Sequence, residues 1–160
     1  MSESGTDTAG DYGGLKIYPP ALAGILLLCG LLLHLLGRHG HRLVHLHQLL
    51  GLLLIAVGVG LSSYAAALFT ARDTTKNPYG QPTAFVAVMP YTFTRNPMYL
   101  GLMAVLLGFG LFFGSAAMLL APIAFVIVMD RTVIPREETT LEQLFGQQYL
   151  DYKIRVRRWL

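Results

Sequence analysis

Two polar stretches hold most of the residues able to do chemistry. The first is Pro90-Tyr91-Thr92-Phe93-Thr94-Arg95-Asn96-Pro97-Met98-Tyr99-Leu100-Gly101, which leads into an apolar run. The second is Arg136-Glu137-Glu138-Thr139-Thr140-Leu141, continued by Phe145-Gly146-Gln147-Gln148-Tyr149 and Tyr152. A carboxylate can pair with an ammonium group or take a proton, and an arginine can position an anion. Asparagine hydrogen-bonds neutral polar groups, and tyrosines offer flat faces to planar or cationic ligands. Each piece also has a plain reading. Arg-Asn-Pro suits an interfacial anchor and a helix start, and Glu137-Glu138 alone suits a solvated helix face. Their order and separation together are specific.

The elements that carry these stretches are those of a membrane protein. Apolar residues make up 54% of the 160-residue chain and charged residues 13%, about half the charge of a soluble domain. The apolar residues are gathered into runs too long for one core of this size to hide from water. One runs from about Pro20 to Leu36, with Pro19 and Pro20 fitting a helix's first turn. Another runs from Leu43 to about Phe69, long enough for a ~30 Å hydrocarbon layer. In it Gly51, Gly58 and Gly60, with Ala56, suit close approach of a second helix. A third, Met98 to Met129, is broken at Gly114-Ser115 and again at Pro122, and reads as two helices.

The fold class expected is therefore all-α integral membrane. About four transmembrane helices, the last two a helical hairpin, precede a C-terminal amphipathic interfacial helix. That last helix follows from Leu141, Leu144, Phe145, Tyr149 and Tyr152, which share one helical face; it lies along the membrane surface or caps the bundle. Residues 1–18 form an N-terminal tail without the basic leader of a cleavable signal. Residues 19–160 form a single domain whose ligand-binding part is about 70–160.

Four spans put the N-terminus, the 70–97 loop and the C-terminal tail on one side. That side holds Lys16, Arg72, Lys76, Arg95, Arg131, Arg136, Lys153, Arg155, Arg157 and Arg158, against only Arg38 and Arg42 on the other. The asymmetry places the loop and both termini in the cytoplasm. Trp159, beside two arginines, suits an interfacial anchor. The basic balance, without an aromatic-interleaved basic stripe, argues against nucleic acid. Cys29, alone in an apolar run, reads as a buried bystander.

The two stretches resemble those of the isoprenylcysteine carboxyl methyltransferase and phospholipid methyltransferase superfamily. There an Arg-(His/Asn)-Pro-x-Tyr-x-Gly motif opens a helix, and a Glu-Glu-x-x-Leu…Phe-Gly-x-x-Tyr-x-x-Tyr…Arg-Trp motif closes the chain. The matching residues are Arg95, Asn96, Pro97, Tyr99 and Gly101, then Glu137, Glu138, Leu141, Phe145, Gly146, Tyr149, Tyr152, Arg158 and Trp159. The resemblance covers roughly Thr83 to Leu160. Met89 stands where the family usually has glycine, and Asn96 where its prenyl-specific members have histidine.

What the resemblance implies is transfer of a methyl group from S-adenosyl-L-methionine to a lipid-like or small hydrophobic acceptor at the cytoplasmic membrane face. The acceptor is of the isoprenylcysteine carboxylate type or the phospholipid amine type. The cofactor is then held by Thr83, Ala84, Phe85, Val86, Tyr91, Arg95, Asn96, Pro97, Met98, Tyr99 and Glu137. A carboxylate acceptor needs a positioning cation, Arg131 or Arg136; an amine acceptor needs a base, for which Glu138 is placed.

The competing class is a non-catalytic four-helix membrane protein, such as an assembly factor or transporter subunit. A transporter calls for charges within the spans, and only His34 stands out there. His39, His41, His45 and His47 crowd the first connection. Without cysteine or carboxylate beside them they read as a headgroup-contacting loop, and no metal site is expected.

Overall fold

The computed structural model describes residues 16–37 and 45–160, with the side chain of His45 excepted. Most of the N-terminal tail, together with His39 and His41, lies outside the described residues. Five α-helices make up the architecture, and no strand occurs among the described residues. They are α1 (Pro19–Leu36), α2 (His45–Thr70), α3 (Pro97–Phe112), α4 (Ala116–Val128) and α5 (Ile134–Arg155). A π-helical turn, Met129–Val133, joins α4 to α5.

Three helical stretches are long and apolar enough to cross a bilayer: α1, Leu46–Thr70 of α2, and the stretch that starts at Ala116. The fourth expected span, α3, has 16 residues and a length of about 24 Å, short of the ~30 Å hydrocarbon layer. Sequence marks its ends. Pro97 occupies the first turn, where a missing N–H costs nothing, and Gly114 turns the chain in the left-handed region (φ +58°). Ser115 then caps α4 by accepting from the Met118 N–H. Pro122 does not divide α4, which runs through it. Cys29 is also corrected: it is exposed on the α1 surface rather than buried.

α3 is the centre of the bundle. α2 packs along one side of it, while α4 and α1 pack on the other. The α2–α3 contact is backbone against backbone at two reciprocal glycine pairs. A Cβ on Gly101 would stand 2.5 Å from the Gly58 carbonyl oxygen, and one on Gly108 would stand 2.7 Å from that of Gly51. In each helix the paired glycines are two turns apart, so they line one seam. Gly60, grouped with them on sequence grounds, faces open space.

This seam brings the end of α2 against the start of α3, where Ala65, Val86 and Tyr91 form a small core with Leu68, Phe69 and Met98 around it. At the same end of the bundle the Tyr79 hydroxyl accepts from the Ile17 N–H (2.6 Å) and donates to the Ile17 carbonyl (3.0 Å). The start of α1 is thereby tied to the 71–96 loop. A kink at Gly146 (φ +49°) divides α5 and with it the single face expected, but Tyr149 and Tyr152 beyond the kink still pack with Phe85, Ala87, Leu141 and Phe145. Of the five residues expected on that face, Leu144 stays exposed. α5 packs against the 71–96 loop through Phe85 and Ala87 of that loop.

Replacing Gly101 with alanine forces α2 and α3 apart and lowers stability by about 1–3 kcal/mol. Gly60→Ala, in open space, leaves it nearly unchanged. Thermal unfolding of the purified protein in one detergent compares the two.

Candidate functional site

A cavity opens at the end of the bundle where the 71–96 loop, the start of α3 and α5 converge. The atom-free space between its walls, counting the open mouth, is about 860 Å³. Six aromatic rings line it, those of Phe69, Phe85, Tyr91, Tyr99, Tyr149 and Tyr152.

The loop is held open by its own hydrogen bonds. Buried Thr74 accepts through Oγ1 from the N–H groups of Thr83 (2.9 Å) and Ala84 (3.3 Å), and Thr83 donates its hydroxyl to the Asp73 carbonyl (3.0 Å). The chain that follows enters the wall. Phe85 meets Tyr152 edge-on at 5.1 Å between centroids and Tyr149 at 5.9 Å. Tyr152 donates its hydroxyl to the Tyr91 carbonyl at 2.7 Å, so the α5 tyrosines fix where Tyr91 stands.

The two carboxylates at the start of α5 have opposite surroundings. Glu138 sits among cations: Arg95 Nη1 at 3.1 Å, Arg158 Nη2 at 2.7 Å and Lys153 Nζ at 3.8 Å. Arg158 also reaches it through Nε at 3.0 Å and sends Nη1 to Asp130 at 2.9 Å. The same C-terminal strap holds the first motif by its carbonyls. Arg158 O accepts from Thr94 Oγ1 (3.0 Å) and Asn96 Nδ2 (2.9 Å), and Arg157 O accepts from the Arg95 N–H (2.9 Å).

Glu137 has no cation among its described contacts. Its carboxylate accepts from the Tyr99 hydroxyl at 2.5 Å. It lies beyond the apolar stretch of α4, and burial pushes its pKa up to about 7. The Tyr99 hydrogen bond works against that rise, and the neighbouring Glu138 charge adds to it. Two further polar atoms in the walls are buried without a hydrogen bond among the described residues: the Tyr91 hydroxyl and Arg95 Nε. Arg95 Nη1 is near enough to Glu138 for charge pairing but is not aligned as a hydrogen bond.

Ten of the eleven residues expected to hold a cofactor line this cavity: Ala84, Phe85, Val86, Tyr91, Arg95, Asn96, Pro97, Met98, Tyr99 and Glu137. Thr83 does not, and acts one step back by bracing the loop. Of the residues expected to act on the acceptor, Glu138 is in the wall while Arg131 and Arg136 are exposed outside it. Three cations surround Glu138 and occupy its oxygens, so its carboxylate is engaged in ion pairs within the wall. Sequence reasoning left out Tyr149 and Tyr152, which are wall residues, and gave Arg158 and Asp130 no part. The Arg-Trp pair closing the second motif was the available signal for Arg158. Phe69 and Lys76 carried no signal, because each is ordinary in its local stretch.

These features define a membrane protein with a largely apolar, aromatic-walled cavity that holds a few polar groups at one end of its helices. The phospholipid methyltransferase family matches residues 46–148, well over half of the chain, and the protein belongs to that family. A protein of Haemophilus influenzae named only as uncharacterized is 46% identical over 63 residues, which is all of that protein and 39% of this chain. No solved structure matches. Family and apolar helices together make this an integral membrane protein of a methyltransferase family.

The neighbouring glutamates respond oppositely to loss of charge. Glu138→Gln leaves buried Arg95 without its main partner and destabilises by about 3 kcal/mol. Glu137, with a pKa near 7 against an ordinary 4.5, binds its proton more tightly folded than unfolded. Its presence therefore costs nothing at low pH, and stability falls as pH rises from about 4.5 to 7. Glu137→Gln accordingly stabilises by about 3 kcal/mol at pH 8, most of it gone by pH 5. Thermal melts of both variants at the two pH values test the signs.

Proposed function

We propose that this chain is a methyltransferase that binds S-adenosyl-L-methionine in the cavity and methylates a lipid-like acceptor at the cytoplasmic face of the membrane. The observation that carries the reading is Glu137, a carboxylate in an aromatic cavity with no cation paired to it among the described residues. The ions around Glu138 compensate one another, so Glu137 leaves the inner wall with an unmatched negative charge. A ligand bearing an ammonium group supplies the missing partner.

The residues present fit this cofactor. Glu137, oriented by Tyr99, holds the ammonium end; the Tyr91 hydroxyl and Arg95 Nε offer free donors for its oxygens. The aromatic faces of Phe69, Tyr91 and Tyr149 suit the adenine ring and the sulfonium. When bound, S-adenosyl-L-methionine supplies a methyl group made electrophilic by the positive sulfur. The protein's part is to align donor and acceptor and to keep water out, which accounts for much of the acceleration of an in-line displacement. A negatively charged inner wall also binds the positively charged cofactor more strongly than its neutral product, which favours turnover.

Acceptor identity follows the family only as far as a lipid-like molecule. Phe69, Met98 and Tyr99 belong to the ends of α2 and α3 and open the cavity toward the bilayer side. Lys76, on the loop, stands at the polar side and is better placed than Arg131 or Arg136 to meet an anionic group. The assembly-factor or transporter-subunit alternative does not account for an unmatched carboxylate beside unused buried donors.

Titration calorimetry of the detergent-purified protein tests the proposal. S-adenosyl-L-methionine binds, and Glu137→Gln weakens it by about tenfold to a hundredfold. Wild-type affinity falls as pH drops below about 7, where Glu137 takes up its proton, and the variant lacks that dependence. Correctly folded wild-type protein that takes up no cofactor would refute the reading. Incubating membranes with methyl-labelled cofactor then identifies the acceptor by its label.

A further inference from the structure

We infer that the C-terminal strap is a docking surface for anionic lipid headgroups of the membrane in which the protein sits. The strap, residues 156–160, is bonded to Thr94, Arg95 and Asn96 through the carbonyls of Arg157 and Arg158. Those residues immediately precede Pro97, the first residue of α3. Trp159 packs against the cluster of Ala23, Tyr99, Met129 and Val133, where α1, α3 and the end of α4 meet. The strap is therefore fixed at the level where the apolar helices end, which is the headgroup level of a bilayer.

At that level three large apolar side chains project outward. Ile154 is 84% exposed, Leu160 75% and Phe93 67%. Among the described residues nothing of the polar end covers them, and they differ from the exposed leucines of α1 and α2 in their neighbours. Arg155 and Arg157, both exposed, alternate with Ile154 and the buried Val156 along the sequence. Asp130 and Glu138 are paired with Arg158, Asp151 is bonded to the neutral amide of Gln147, and among the described residues neither Arg155 nor Arg157 makes an ion pair. Arg155 donates through Nε to the Asp151 carbonyl (3.2 Å) and keeps its other guanidinium nitrogens at the surface. Apolar tips beside guanidinium groups without a carboxylate partner among the described residues match a layer of acyl chains under phosphate. An acidic protein would match the arginines and leave the apolar tips unexplained.

The surface does not depend on the reading of the cavity as a cofactor site. It is tested on the full chain in nanodiscs of phosphatidylcholine with or without phosphatidylglycerol, either lipid carrying brominated acyl chains. Trp159 is the chain's one tryptophan, so emission reports on the strap alone. Brominated phosphatidylglycerol is expected to quench it more than brominated phosphatidylcholine at equal mole fraction. Arg155→Gln with Arg157→Gln removes that preference, and added salt weakens it. Phe93→Ser with Ile154→Ser reduces quenching by both lipids. Each pair is checked for an unchanged melting midpoint in detergent, so that misfolding is told apart from lost contact. Equal quenching by the two lipids, a preference that survives the arginine pair, or Trp159 as open to aqueous acrylamide in discs as in micelles would each overturn the inference.

Discussion

One buried carboxylate organises the polar end of this molecule. Glu138 has a side chain only 9% exposed, and a carboxylate in such a place is costly unless cations surround it. The cations come from separated parts of the chain: Arg95 just ahead of α3, Lys153 late in α5, and Arg158 in the strap. None of these pairings forms within a local turn except by folding the whole end together. The geometry is demanding because Arg158 binds in a fork, through Nε and Nη2, and turns its third nitrogen to Asp130. A fork of that kind fixes direction as well as distance. The strap cannot slide without losing the carbonyl contacts to Thr94 and Asn96. Glu138 therefore sets the register of α5 against the start of α3.

Register matters because of the residue next door. Successive positions on a helix point about 100° apart, so fixing Glu138 toward the cations aims Glu137 elsewhere, into the cavity. Two adjacent residues of one type thus take opposite parts. One is matched by charge and holds the fold; the other is unmatched and raised in pKa by burial. Perturbed titration in a cleft is a mark of functional sites, though ion networks also produce it. Here the network is on Glu138, so the perturbation of Glu137 is not explained by structural pairing.

Much of this was legible in the sequence, and the parts that were not share a cause. The break at Gly114-Ser115 and the start at Pro97 are local signals, and each is where composition put it, whereas the expected face of α5 is divided at Gly146 and leaves Leu144 exposed. Ten of eleven expected wall residues line the cavity because the motifs that named them are contiguous stretches. Contacts between stretches were not legible. Nothing in the spelling of Asn96 shows that its amide is taken by the Arg158 carbonyl, or that Tyr152 reaches Tyr91. Arg131 and Arg136 were chosen for nearness in sequence to the glutamates. The π turn and the start of α5 place both outside the cavity, and Lys76, remote in sequence, in its wall. Gly60 failed for the same reason, since only packing tells which face of α2 meets α3.

The glycine seam decides how close the two phases come to the cavity. Because α2 and α3 touch backbone to backbone, Phe69 at the end of one and Met98 and Tyr99 at the start of the other share a wall with the loop residues Lys76 and Asn77. Bulkier residues at Gly58 and Gly101 would separate those helix ends and let water into the cavity on that side. A charge such as Glu137 keeps its raised pKa only while that side stays dry, since solvent would screen it and return it toward the ordinary carboxylate range. Helix packing within the bilayer and the charge state of a group outside it are thus linked. On the proposed reading, the same closeness lets a water-soluble cofactor and a lipid-borne acceptor reach one point without either leaving its own phase.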